Sequence, residues 1–412
     1  MIPFIASITL VIRFLFFGTL FLFGIKYEGL ESSSSYLIIC VASAGLSIVL
    51  TAYELYFTHR NKSAKTLIPV WVLLVSVIVV LIPLGTAPSE AILIRNFGLY
   101  LIFGLPGLFI GAYVADSNKL SSIGKWMDVI MLTVSCGLMG IMPAVLISGG
   151  DDFGVGGATY QTTAYASGFC FGLNLCNILF GSDYEHFKIF KTAVFKYLSY
   201  ILLIFQIVIC LMSGGRGGFV LILVNAIILL VIARRFRRIL VLSVVLGGLA
   251  IIVLNGLGKF GLKKVLDVQM ERTFSYISSN GIDMHETSNR DLVYNYAWGQ
   301  IKENPIFGSG IFRNEGFYPH NLILDFLYQG GIVYLMFWII VLCRMFKRLA
   351  RIIKTDKEAI LLIPLATYPF IMLMFSGSYV DTSLFWFVVV YVFCYKGNLT
   401  AGALEQRNYQ CN

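Results

Sequence analysis

Charge is the scarcest commodity in this sequence: Asp, Glu, Lys and Arg make up only 13% of its 412 residues, against 58% hydrophobic. A chain of this length has room for two or three soluble domains, but so little charge excludes them. Other absences narrow the class further. The eight cysteines show no C-x-x-C or zinc spacing and lie mostly within apolar runs, which excludes a disulfide framework and reads them as small apolar residues. Neither a Walker loop nor a dinucleotide fingerprint is present, so no nucleotide site is expected. No repeat of roughly 20–50 residues, no low-complexity tract and no appended soluble domain interrupts the chain. Asp151-Asp152 is a weak metal candidate without a third ligand, so neither a metal nor any other cofactor is expected. The first apolar run lacks a small-residue cleavage site, which marks it as a retained span.

What the sequence does have is apolar length. Runs long enough to cross a hydrocarbon core of about 30 Å as helices recur throughout. They predict an all-α, polytopic integral membrane protein with about twelve spans, near 3–25, 36–57, 67–85, 91–114, 126–147, 161–180, 194–212, 218–233, 239–256, 321–343, 359–376 and 383–396. Three regions follow: an N-terminal bundle over 1–256, a long external loop over 257–320 and C-terminal spans with a tail over 321–412. With the N-terminus inside, the inner loops and tail hold 20 of the 31 basic residues, whereas the short outer loops hold only Lys26 and Arg216. That asymmetry places both termini in the cytoplasm. It also assigns the net charge of +9 to topology and not to nucleic acid.

Three polar motifs fall on the outer side. Ser213-Gly214-Gly215-Arg216-Gly217-Gly218 reads as a turn whose exposed backbone N–H groups form an anion-binding concavity, with an arginine fork at its centre. Ser213, Gly215 and Gly217 are therefore candidate ligand positions beside Arg216; the bland alternative is a hairpin with a snorkelling arginine. A helix is expected from Ser288, capped there with Asp291 as partner, and Leu292, Val293, Tyr296, Ala297 and Ile301 give it one apolar stripe. Such a helix lies on the bilayer or lids a cavity. Arg290 in its first turn opposes the helix dipole, which suits a phosphate clamp better than a surface pair with Glu286 or Asp291. Pro319-His320-Asn321 then offers a proton acceptor near neutral pH, or a polar interfacial anchor. Arg95 and Arg13 are intramembrane cations and so candidates by default, and Asp325 stands one turn below His320, suited to orient it or pair with an arginine. Gly168 to Gly172 has helix-packing spacing. An external enzyme without nucleotides would use a lipid-borne activated donor, needing cations for the leaving pyrophosphate and a base for the attacking hydroxyl.

The run Ser288-Asn289-Arg290-Asp291-Leu292, through Glu303-Asn304-Pro305-Ile306-Phe307-Gly308-Ser309-Gly310, to His320-Asn321-Leu322 and Gly330-Gly331 resembles the signature of the O-antigen polymerase and O-antigen ligase superfamily. Ser213 to Gly218 resembles that family's Ser-Arg-Gly turn. The resemblance covers mainly residues 205–345. It implies a metal-independent glycosyltransferase of the bacterial inner membrane, acting at the periplasmic face on undecaprenyl-pyrophosphate-linked oligosaccharide. Arg216 and Arg290 would hold the pyrophosphate, and His320 would assist the acceptor hydroxyl. The expected activity is polymerisation of repeat units, with a chain-length regulator as possible partner. The alternatives are ligation of finished glycan to lipid A-core and, from another class, a lipid-linked oligosaccharide flippase.

Overall fold

A computed structural model describes residues 1–23, 34–58, 64–81, 90–147, 159–234, 248, 277–278, 281–282, 290–313 and 318–397. Its helices are α1 (Ile2–Leu10), α2 (Ile12–Leu22), α3 (Ser34–Tyr53), α4 (Ile68–Leu81), α5 (Glu90–Leu99), α6 (Leu105–Ser117), α7 (Leu120–Ile147), α8 (Tyr160–Phe180), α9 (Ala193–Ser213), α10 (Arg216–Ile232), α11 (Arg290–Glu303), α12 (Leu322–Thr355), α13 (Leu362–Phe375) and α14 (Ser383–Cys394). The described β-structure is a two-residue ladder, Ile277–Ser278 against Gly281–Ile282. Eight helical stretches are long and apolar enough to cross a membrane, or nine if the bent pair α1–α2 counts as one. The chain is thus an all-helical, multi-pass membrane protein. The expected ninth span, 239–256, lies almost wholly outside the described residues.

Four spans depart from the simple reading. The first is broken: α1 and α2 meet at Val11 with a bend of 85°. The tenth runs on as α12 for 34 residues through what reads as a cytoplasmic loop, and it is interrupted at Gly331 (φ 65°, ψ −166°). Its basic residues from Arg344 onward simply extend the helix beyond the apolar part. The eighth and twelfth expectations, α10 and α14, are shorter apolar helices of 17 and 12 residues.

The shortness of α14 is informative. Twelve residues rise about 18 Å, little more than half of a hydrocarbon core. Yet nearly every residue of α14 is buried, Phe385, Phe387 and Val388 completely. A helix apolar on all sides belongs at the centre of a bundle. Its closest neighbour is α6, where a Cβ on Gly107 or Gly111 would overlap the carbonyl oxygens of Ser383 and Phe387. Small residues let two helix backbones touch where no lipid can intervene. The Ser383 hydroxyl donates to the carbonyl of Phe103 at the top of that contact. Gly168 and Gly172 of α8 make the same kind of contact with Gly218 and Asn225 of α10, as their spacing predicts. By contrast α3 and α4 are mostly exposed and form the lipid-facing periphery.

The polar groups sort into two ends. At one, Lys396 pairs with Asp116, Tyr395 donates to Asp356, Arg348 donates to the Tyr395 carbonyl, and Asp128 holds His186 at 2.5 Å. At the other, Ser376 bonds Gln161, Ser378 bonds Asp325, and Asn96 donates to the Phe312 carbonyl. The first set belongs to loops expected inside, the second to loops expected outside.

Candidate functional site

Because α14 reaches only part-way, the loop 376–382 before it descends into the bundle and carries Asp381 with it. Arg13 meets it there: its guanidinium lies 3.3 Å from the Asp381 carboxylate and 4.6 Å above the Phe103 ring. Arg13 is delivered by the break at Val11, which turns the start of α2 towards the loop. The neighbouring Phe14 packs on Phe169 and Tyr368, residues about midway along α8 and α13. A cleft lined by Val11, Arg13, Phe103, Tyr368 and Asp381 thus extends from one end to mid-depth. The Arg13 side chain is 45% exposed, Asp381 15%. An ion pair this open is worth about 0–1 kcal/mol, so it is better suited to exchange partners than to hold the fold.

Arg216 stands one ring away. Gly214 takes a left-handed conformation (φ 68°) that ends α9, Gly215 is the N-cap residue, and Arg216 opens α10. The turn is shorter than the Ser213–Gly218 stretch expected for it, since Gly217 and Gly218 already lie in the helix. Their missing side chains have a packing cause: a Cβ on Gly217 would overlap the Tyr165 hydroxyl, and one on Gly218 would lie 2.5 Å from the Ala164 carbonyl. Gly215 likewise abuts Ala164. Ser213 is buried and donates to the Cys210 carbonyl. Ser213, Gly215 and Gly217 therefore build the corner, and Arg216 is the group it presents at a helix N-terminus, where anions are favoured. Tyr165, beneath the corner, is edge-on to Tyr368 at 6.4 Å, linking it to the Arg13 cleft.

The segment 318–325 closes the other side. His320 holds a left-handed backbone (φ 50°), an uncommon state for a side-chain-bearing residue and a pointer to functional constraint. The cause is next to it: the Asn321 carboxamide oxygen accepts from the N–H groups of Ile323 and Leu324 at 3.0 and 3.1 Å. Asn321, expected as a ligand, is the N-cap of α12. Asp325 is buried and accepts from Gln329 at 2.6 Å and Ser378 at 3.0 Å. Its described bonds run to these two groups and to the backbone of Tyr379, where orientation of His320 or pairing with an arginine was expected. Gln329 in turn accepts from Tyr379. Asp325 thus tethers the descending loop to α12 and fixes the depth of Asp381.

Tyr318 lines a small cavity of mixed character with Asn96, Leu99, Phe312, Ser378, Val380 and Asp381. Burial, reinforced by Asp381, pushes its hydroxyl up to about 12, while Arg95 and Arg13 oppose the rise. Tyr318 therefore sits in the field of both arginines and stays an O–H donor. Arg95 is exposed, and its neighbour Asn96 makes the buried contact to Phe312. Arg13 was a minor expectation, and Asp381, Tyr318, Asn96 and the buried Arg313 (6% exposed) were not singled out at all. A lone acid in a short outer loop, opposite a lone arginine in the first span, was the available signal for the pair.

Much of the motif-rich stretch is a clasp. Ser309 and Gly310 donate their N–H groups to the carbonyls of Tyr328 and Gln329, while Ile332 and Val333 donate to those of Pro305 and Ile306. The turn thus satisfies both helix ends exposed by the break at Gly331. Gly308 (φ 67°) and Gly331 (φ 65°) are left-handed, and a Cβ on either would overlap the opposite strand of the clasp. Helix α11 docks through Ala297 and Ile301, which bury against Tyr328 with Leu324 and Leu327. Leu292 is exposed, so the seam is narrower than the expected stripe and faces α12. The helix begins at Arg290; the Ser288–Asp291 cap, the Arg290 side chain and Asp151-Asp152 lie outside the described positions.

Arg13, Arg95, Arg216, the Tyr318 hydroxyl and His320 thus belong to one end of the bundle, in a setting suited to a phosphorylated headgroup. Residues 201–339 match the family model described as O-antigen ligase. Over that third of its length the chain is similar to the O-antigen ligase domain, which supports a place in the O-antigen ligase/polymerase superfamily. No curated protein and no solved structure matches the chain. The matched segment runs from α9 to the middle of α12, enclosing Arg216, Arg290, His320 and the clasp.

Proposed function

We propose that this protein transfers a glycan from an undecaprenyl-pyrophosphate donor to a second lipid-linked repeat unit, at the periplasmic face of the bacterial inner membrane. The observation that carries the reading is the gathering of the Arg216 corner, His320 and the Arg13–Asp381 cleft at one end of the bundle, with the first two inside the matched segment. The acceptor hydroxyl attacks the anomeric carbon, the bond from that carbon to the pyrophosphate oxygen breaks, and the hydroxyl proton passes to His320. Arg216 and Arg290 stabilise the charge that develops on the departing pyrophosphate, an interaction strongest in the transition state. Asp325 and the clasp hold these groups in place. Single replacements Arg216→Ala and Arg290→Ala, each at normal membrane abundance, are expected to abolish long glycan chains, measured by gel profile of the surface polysaccharide. Long chains in both strains would end the proposal.

The family description favours a second reading, in which the acceptor is lipid A-core. The phenotype of a deletion strain separates the two. A polymerase leaves single repeat units attached to the surface lipid, and a ligase leaves none.

A further inference from the structure

Below its break at Gly331, helix α12 presents one continuous outer face. Val333, Phe337, Ile340, Arg344, Lys347, Arg351 and Lys354 follow at alternate intervals of four and three residues, which keeps them on one stripe. All seven are exposed. The opposite side is the packing seam, where Met345, Leu349 and Ile352 are buried. The upper three members of the stripe are apolar and the lower four are cations, so the face is apolar above and charged below.

The contacts of α12 set the depth at which its character changes. Arg348 donates to the carbonyl of Tyr395, just past α14, and Tyr395 donates to Asp356. Lys396 pairs there with Asp116 near the end of α6, so these residues mark one end of the bundle. Arg344 stands about 6 Å above that level and Lys354 about 9 Å below it, at 1.5 Å per residue. Phe346 packs on Phe370 of α13 at 5.0 Å, so this stretch lies against the bundle and does not leave it. The four cations have no acid of their own. No Asp or Glu occurs between Asp325 and Asp356, and among the described residues none of the four is paired with a carboxylate. The helix dipole favours a cation only in the last turn, which accounts for Lys354 but not for Arg344, about three turns from the end. Like charges at this spacing repel and destabilise a helix, so the stripe calls for anions from outside the chain.

We propose that this face binds an anionic phospholipid of the leaflet at this end, the cytoplasmic one by the charge asymmetry. Its chains lie along Val333, Phe337 and Ile340, and its phosphate sits among Arg344, Lys347 and Arg351. From Val333 to Arg344 the helix rises about 16 Å, close to the depth of one leaflet. Apolar residues above and cations below follow the order of chain and head in a lipid of that leaflet, and guanidinium forks match phosphate oxygens. An acidic protein would answer the four cations but not the apolar residues above them. The site is independent of the transfer reaction, and it ties down the inner end of the helix whose outer end carries the clasp.

The test counts lipids retained by the detergent-purified full chain, by native mass spectrometry, on titration with phosphatidylglycerol or phosphatidylcholine of identical chains. Phosphatidylglycerol is expected to saturate, and phosphatidylcholine to bind at least roughly tenfold more weakly. A cation near a bilayer surface changes binding of an anionic lipid about fivefold. Arg344→Gln, Lys347→Gln and Arg351→Gln together should therefore weaken phosphatidylglycerol roughly a hundredfold, in protein that remains monodisperse. The charge-matched combination Lys188→Gln, Lys191→Gln and Lys196→Gln, around the start of α9, should leave binding unchanged. Should the stripe combination not reach the membrane, Lys347→Gln and Arg351→Gln singly carry the same test at about fivefold each. Equal binding of the two lipids, full binding by the stripe variants, or an equal loss in the α9 variant would overturn the site. So would an acidic protein that copurifies through these cations in place of lipid.

Discussion

At the scale of single residues, His320 separates backbone from side-chain demands. Its φ of 50° is open to glycine at no steric cost but strained for a β-branched residue. His320→Gly is therefore expected to keep the melting temperature within error and to lose glycan synthesis. His320→Val should lose both, with about 1–2 kcal/mol of destabilisation from the left-handed conformation. Equal melting of the two variants would contradict that account. Tyr318 gives a pH test. Its folded value of about 12 lies above the ordinary 10.0, so whatever stability it contributes is fully present below pH 10 and is lost as pH rises through 12. Across about pH 5–9 the hydroxyl stays protonated. Tyr318→Phe should accordingly lower activity by the same factor at every pH in that range, and a pH-dependent ratio would exclude Tyr318 as a simple hydrogen-bond donor.

At the scale of elements, the clasp makes the sharpest prediction. Gly331→Ala adds a Cβ where Ile306 stands and places it on a left-handed backbone. The expected cost is about 2–3 kcal/mol, read as a lower melting temperature and faster proteolysis within 304–331. A conservative change in α11, such as Lys302→Arg, should do neither. This element also marks the limit of sequence reading. Apolar length revealed nearly every described helix, because a run of twenty apolar residues has few other uses. The order Pro305 to Gly310 and Gly330-Gly331 was legible as a motif, but its meaning as a pair of mutually capping breaks was not. Turn and helix are separated by too many residues for local spacing to join them. The same holds for Arg13 and Asp381, which only the tertiary fold brings together. Gly215 and Gly217 show a further limit: glycines read as ligand-binding freedom also serve close helix packing.

At the scale of the molecule, the two polar ends predict accessibility. In a background lacking the exposed Cys343, a cysteine at Ser376 should react with a membrane-impermeant maleimide in intact cells. One at Thr192, at the start of α9, should react only after lysis. Reversal would invert the assigned orientation and move the site to the cytoplasm. The packing of α6 on α14 is the other whole-molecule feature. Gly111→Leu should separate these backbones and leave little folded protein in the membrane, since Phe387 has nowhere to move.

The Arg13–Asp381 pair also bears on how the chain is made. Its partners are 368 residues apart, and synthesis at about 5–20 residues per second separates them by roughly 20–70 s. An arginine near the middle of a helix costs about 2.5–3.5 kcal/mol at insertion. During that interval the nascent first segment has no Asp381 to meet, and the long arginine stem can keep its head near the bilayer surface. Pairing of the α2 arginine therefore awaits synthesis of the loop before α14.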